Sequence, residues 1–283
     1  MGNLATAKKI NVLTQQVSWK KQCDTLANYN FIYVDFKCSP LALKERCEKN
    51  KVDLILCADY EIQSRFSKYY RDQVLALDIP WLLPRYEDSE IENKFKFYSW
   101  MTQNGLSKYL PPSKLLSDYP YVLKNGNGCG GKYVHIIRDA ADLDAIDLSF
   151  SSQQYLCQQY IHGDEYAHHF IAVDGVCQIQ RTFKHMYDQQ IKPDVLYIRS
   201  KDLYNKYTLN IQLAEHYQHI LTSIIRKLSF TGWGCIDLKI IDDKTYVFEI
   251  NSRIGGSLIY YYDQVKDYDD FVSAYITSIH SRH

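Results

Sequence analysis

The chain has 283 residues, with Lys+Arg and Asp+Glu both at 33, so its formal charge is zero and its pI is about 7.1. That balance excludes the strongly basic footprint of a nucleic-acid or anionic-membrane binder. A content of 46% hydrophobic and 23% charged residues excludes a disordered chain. Glycine is scarce, 12 in all against a usual share of about 7%, so a cluster of glycines carries information. The eight cysteines form no CxxC pair, which removes support for a zinc knuckle or thioredoxin-type site. The N-terminus lacks an apolar signal core and no 18-residue apolar run exists. A reduced, cytoplasmic chain with no nucleic-acid or membrane partner is therefore expected. Gly2 and Thr6 match the loose myristoylation pattern, for which a plain start is the better reading. The 25 tyrosines have no functional reading.

In chain order, INVLTQQ and NFIYVDF read as strands, Pro40 to Asn50 as a helix, VDLILCA as a strand buried on both faces, and Glu61 to Leu77 as a helix. This β-α-β-α order predicts a small parallel α/β unit over residues 1–88. Pro80 and Pro84 mark a linker. Ser89 to Asn104 reads as a helix, with Ser89 and Glu92 as a capping box and Gly105 as its stop. After Pro111-Pro112 the pattern turns to antiparallel hairpins: YPYVLK, KYVHII, QYLCQQYI, EYAHHFIAVDG and VCQIQRTF. A long helix is expected from about Leu209 to Leu228, with Ile211, Ala214, Tyr217 or Gln218, Leu221 and Ile225 as its core stripe. A β-hairpin, GWGCIDLKI to TYVFEIN, and a short helical tail complete the chain.

Four of the 12 glycines fall in Lys124-Asn-Gly-Asn-Gly-Cys-Gly-Gly-Lys132. Gly126, Gly128 and Gly131 fit GxGxxG, but a strand-like KYVHII follows where a dinucleotide fingerprint needs a helix. Gly131-Lys132-Tyr133 likewise fails the Walker pattern. What remains is a glycine-rich turn between antiparallel strands, either a plain turn or a loop whose N–H groups approach phosphate oxygens, with Lys124 supplying a cation.

The second feature is the hairpin from Cys235 to Arg253. Strand alternation sets Ile236, Leu238 and Ile240 on one face and Asp237 on the other. In the return strand it sets Phe248 and Ile250 on one face, and Glu249, Asn251 and Arg253 opposite. A three-residue turn at Asp242 to Lys244 would bring Asp237 across from Glu249. Opposed like charges destabilise a ladder unless neutralised. Two carboxylates and an Asn carbonyl suit Mg²⁺ or Mn²⁺ shared with substrate phosphates, and Arg253 can stabilise charge on a transferring phosphoryl group. An exposed polar face is the plainer reading of the hairpin alone. With the glycine loop beside it, the metal reading prevails.

Together these residues resemble the ATP-grasp ligases, nearest the branch with biotin carboxylase, carbamoyl-phosphate synthetase and the amino-acid ligases, over about Glu92 to Ser257. The resemblance implies an α/β (α+β) ATP-grasp fold over residues 89–283, a small-sheet lid at about 113–158, and a preceding α/β domain over 1–88. It further implies that Lys94 and Lys124 contact ATP phosphates and that Gly126, Gly128, Gly130 and Gly131 close over them. Gln158, Gln159, Tyr160 and Ile161 would meet adenine, and Glu165 would lie near the ribose. Asp237, Glu249 and Asn251 would bind two Mg²⁺ ions, with Mn²⁺ able to substitute. Arg253 would be catalytic, while Gly255, Gly256 and Ser257, with Arg181 more weakly, would meet substrate. Asn93 stands where the family usually has Asp, Gln158 where an acidic residue is common, and Tyr133 where Gly is common.

The implied activity joins a small-molecule carboxylate, activated as an acyl phosphate, to an amine, with a homodimer allowed. A non-catalytic nucleotide-binding module and an ATP-grasp kinase or thioester-forming ligase are the alternatives. The short segment after the hairpin lowers the expectation of a carboxylase. His162, His168 and His169 read as ordinary strand histidines, since neighbours in a strand face opposite ways. The connection from about 184 to 206 carries Lys184 and Arg199 and reads equally as solvated loop or substrate contact.

Overall fold

The structure, a computed structural model, describes residues 9–14, 26–57, 59–126, 134–146, 155–186, 207–259 and 265–281. Near the N-terminus β1 (Ile10–Thr14), β2 (Tyr29–Tyr33) and β3 (Leu54–Ile55) form a parallel sheet of order β2-β1-β3. Helix α1 (Pro40–Asn50) starts where Ser39 Oγ accepts from Ala42 N and Pro40 supplies a preset first turn. The expected helix over Glu61 to Leu77 is instead two, α2 (Tyr60–Tyr69) and α3 (Arg71–Ala76), because Tyr70 leaves helical geometry at φ −135. Leu13, Phe36, Leu43, Ile55, Phe66 and Trp81 form the core of this unit.

Helices α4 (Tyr86–Glu90) and α5 (Lys94–Gln103) replace the single expected helix from Ser89. Ser89 lies inside α4 and not at the start of α5. Asn93 is the cap of α5, its Oδ1 accepting from Phe95 N and Lys96 N, and Glu92 is bonded elsewhere. Next come β4 (Tyr121–Asn125), β5 (Val134–Ile137), α6 (Ala140–Asp144) and β6 (Tyr155–Gln159), an antiparallel sheet of order β5-β4-β6.

The larger sheet contains β7 (Glu165–Val173), β8 (Val176–Met186) and β9 (Tyr207–Ile211), then β10 (Gly232–Ile241) and β11 (Lys244–Asn251), in the order β11-β10-β7-β8-β9. Helix α7 (Glu215–Leu228) begins after Ala214, so the expected long helix is part strand. Ile211 pairs with Thr182 across the sheet, while Leu221 and Ile225 keep the core role expected of them. The chain closes with α8 (Gly256–Ile259) and α9 (Val265–His280).

Alternation along β10 divides the large sheet between two cores. Ile236 and Leu238 join Phe170, Val247 and Ile250 in a core shared with α5 and α7. Trp233 joins Ile171, Phe183 and Phe271 in a core shared with α9 and the N-terminal sheet. Tyr275 of α9 fastens that sheet, its hydroxyl donating to Ile55 O at 3.0 Å and accepting from Leu82 N at 2.8 Å. Cys235 and Asp237 continue along the same face as Trp233, so the functional end of the hairpin projects from a braced surface.

Candidate active site

Asp237 stands directly across from Glu249, by a different route from the expected three-residue turn. The turn has two residues, Asp242 and Asp243, both at positive φ (47 and 57), the geometry that favours tight hairpins and that Asp tolerates. A regular ladder from that turn would set Asp237 opposite Phe248, but a bulge between Asp237 and Leu238 shifts the partner to Glu249. The bulge also corrects the facing of Phe248. Val247 and Ile250 share one core, whereas Phe248 lies on the site side beneath the Lys124 ammonium, 4.4 Å from its ring centre.

The carboxylate pair is neutralised from two directions. Lys94, at the first turn of α5, puts its Nζ 2.7 Å from Glu249 Oε2. Lys124 is on β4 of the small sheet. Burial alone would raise the Glu249 carboxyl. The charge and hydrogen bond of Lys94, with help from Asp237 and Lys124, hold it well below the usual carboxylate range. Burial pushes the Lys124 amine down to about 8, with Lys94 and Lys239 adding repulsion and Glu249 opposing them. Asn251 donates from Nδ2 to Asp237 Oδ2 at 3.4 Å and Glu249 Oε1 at 3.5 Å, and accepts at Oδ1 from Arg253 Nη2 at 3.2 Å. Among the described residues no three His, Cys, Asp or Glu side chains form a metal cage. Two carboxylates and an amide that can turn over its oxygen fit a hard cation whose remaining ligands come from phosphates.

Three residues absent from the sequence-derived site brace it. Glu92 Oε1 accepts from both the N and Oγ of Ser252, each at 2.7 Å, and Glu92 Oε2 lies 3.9 Å from Arg253 Nε. Lys239 sits opposite Glu165, donates to Ile161 O at 2.9 Å and lies over the Tyr160 ring, so it pins the segment read as the adenine hinge. His169, fully buried, bonds Ser257 Oγ through Nε2 at 2.7 Å. Burial pushes that imidazole down to about 3, so it is neutral at ordinary pH.

The remaining expected residues divide clearly. Gln158 and Gln159 end β6, with Gln158 buried. Gly126 begins the glycine loop, its carbonyl accepting from Lys94 N at 3.0 Å, while Gly128, Gly130 and Gly131 lie outside the described residues. Gly255 packs so tightly that a Cβ there would come 2.8 Å from His169 Cε1 and 2.9 Å from Cys235 Sγ. Burial and the adjoining Asp237 push the Cys235 thiol well up, so it is no nucleophile. Arg181 instead faces α9, 3.9 Å from Asp267 and 3.8 Å from Asp270. Lys184 pairs with Asp164 at 2.5 Å, and Arg199 lies outside the described residues. His168 and His169 face opposite ways, His168 to Thr182 and His169 to Ser257.

Residues 91–257 match the family model of the ATP-grasp domain, more than half of the chain, and the chain belongs to the ATP-grasp family. Its fold is similar to that of D-alanine–D-alanine ligase from Bacillus anthracis, at 15% identity and TM-score 0.61, covering 98% of this chain and 100% of the other. It is also similar to L-amino acid ligase from Bacillus licheniformis, at 18% identity and TM-score 0.57, covering 91% and 70%. Biotin carboxylase from Campylobacter jejuni aligns at 13% identity and TM-score 0.55, covering 95% and 70%. No curated protein matches the chain. Among the described residues no helix is long and apolar enough to cross a membrane.

Proposed function

We propose that the chain is an ATP-dependent ligase that activates a small-molecule carboxylate as an acyl phosphate and joins it to an amine. The observation that carries this reading is the Asp237–Glu249 pair bracketed by the Lys94 and Lys124 ammoniums, with Arg253 beyond Asn251. Phosphoryl transfer from ATP is mostly positioning and charge stabilisation, and this cluster has one part for each need. Lys124, and Lys94 once it leaves Glu249, bind phosphate oxygens. Asp237, Glu249 and Asn251 would hold two Mg²⁺ ions, which would neutralise phosphate charge. Arg253 stabilises the moving phosphoryl group. The hinge from Gln158 to Ile161 receives the base, and the turn from Gly255 to Ser257 faces the substrates. Residues 89–283 form the ATP-grasp unit and 113–158 its lid.

The fold is shared with D-alanine–D-alanine ligase and L-amino acid ligase, and on that likeness of fold we propose an amide product. A screen of amino acids, short peptides and hydroxy or sugar acids for ADP production, with mass spectrometry of the products, tests the reading. Glu249→Gln and Arg253→Ala are each expected to abolish carboxylate-dependent ADP release while the melting transition persists. Unchanged turnover in both contradicts the assignment. A phosphorylated acceptor or a thioester as product would replace the ligase with a kinase or a thioester-forming enzyme.

A further inference from the structure

We infer that Glu92 is a positioning residue for Arg253, acting through Ser252 to fix the guanidinium at the phosphoryl-transfer end of the site. This rests on the function proposed for Arg253 above. Glu92 is 160 residues from Ser252 in sequence, yet one of its oxygens accepts from both the backbone N and the Oγ of Ser252 at 2.7 Å. Charge-assisted bonds of this length are the strong ones. Ser252 is itself 1% exposed, so its two donors have no water to turn to and losing the acceptor is costly. The other oxygen lies 3.9 Å from Arg253 Nε.

Arg253 is thus held on three sides: by Asn251 Oδ1 at 3.2 Å, by Ile254 O at 3.3 Å and by Glu92. Of these, only Glu92 brings negative charge. Two of three consecutive residues grip the same stretch of chain, and the one between them caps the helix that carries them. Glu92 holds Ser252, Asn93 caps α5, and Lys94 meets Glu249. The head of α5 therefore sets where β11 ends and where Arg253 starts.

The test uses the full chain and MgADP, titrated by calorimetry with and without aluminium fluoride, a stand-in for the transferring phosphoryl group. In the parent, fluoroaluminate is expected to tighten MgADP binding. Arg253→Ala and Glu92→Ala are each expected to lose at least about tenfold of that tightening, the scale of one charge-assisted contact, and the double variant to lose no more than Arg253→Ala alone. Glu92→Gln keeps an oxygen acceptor for Ser252 and is expected to retain most of it. MgADP alone is expected to bind Glu92→Ala and Glu92→Gln as tightly as the parent. Full tightening in Glu92→Ala, equal weakening of MgADP alone, or additive losses in the double variant each overturn the role of Glu92 and leave the function standing. If the parent shows no tightening, or Arg253→Ala keeps it, the role proposed for Arg253 fails and this inference fails with it.

Discussion

The two antiparallel sheets are built to different standards. The five-stranded sheet is covered on both faces, by a core with α5 and α7 on one side and a core with α9 and the N-terminal sheet on the other. The three-stranded sheet rests on a buried cluster of Tyr121, Leu123 and Ile137. Asp237, Glu249 and Asn251 belong to the first, and Lys124 and the opening of the glycine loop to the second. Groups that must keep fixed distances stand on the heavily packed sheet, and Lys124, proposed to meet the nucleotide, stands on the one with the smaller core. Local stability follows packing in this way.

The proposed loss of all ligase turnover in Glu249→Gln is the largest effect expected on the packed side. Next is a contrast between two glycines. A Cβ at Gly234 would meet Phe170 Cζ at 2.2 Å, and Phe170 is wholly buried. Gly234→Ala is expected to destabilise the protein by about 1–3 kcal/mol, as overpacked cores do. A Cβ at Gly126 would meet the Phe95 ring at 2.3 Å, but that ring is only half-buried and can swing. Gly126→Ala is expected to weaken MgATP binding with a much smaller change in melting. Equal melting losses in the two variants would erase the contrast.

The pH dependence of MgATP binding sharpens it further. Lys124, with its amine pushed down to about 8, is mostly charged at pH 7 and mostly neutral at pH 9. A lowered lysine value means charge is lost as pH rises, so MgATP affinity is expected to fall by about tenfold across that interval. Lys124→Arg, which stays charged, should flatten the profile; an unchanged slope would exclude Lys124 as its source. The smallest effect is expected from Phe248→Ala. Removing the ring under Lys124 should weaken MgATP severalfold, in line with about 0.5–2 kcal/mol for a cation over an aromatic face, while Asp237 and Glu249 remain paired. Loss of the hairpin on refolding would show that Phe248 matters for the bulge itself.

The sequence was informative where the relevant physics is local. Strand alternation around Asp237 and the strand-like segment after the glycine loop needed only neighbouring residues, and both hold in β10 and β5. The bulge was hidden because a two-residue turn plus one extra residue gives the same Asp237–Glu249 pairing as a three-residue turn. Glu92 was read as part of a capping box because the partner that claims it, Ser252, is far away in sequence. Asn93 takes the cap instead, which accounts for an uncharged residue before Lys94, since Asn and Asp cap about equally well. The stretch before Glu215 fitted a helical stripe, and only pairing of β9 with β8 decides that it is extended.

The most direct measurement is ADP release from MgATP by the whole chain, with and without paired carboxylate and amine substrates, for the parent and Glu249→Gln. Release stimulated by the pair is expected in the parent and none in the variant, with a cooperative melting transition in both. A folded parent that no pair stimulates, or a variant that turns over as fast as the parent, would contradict that expectation.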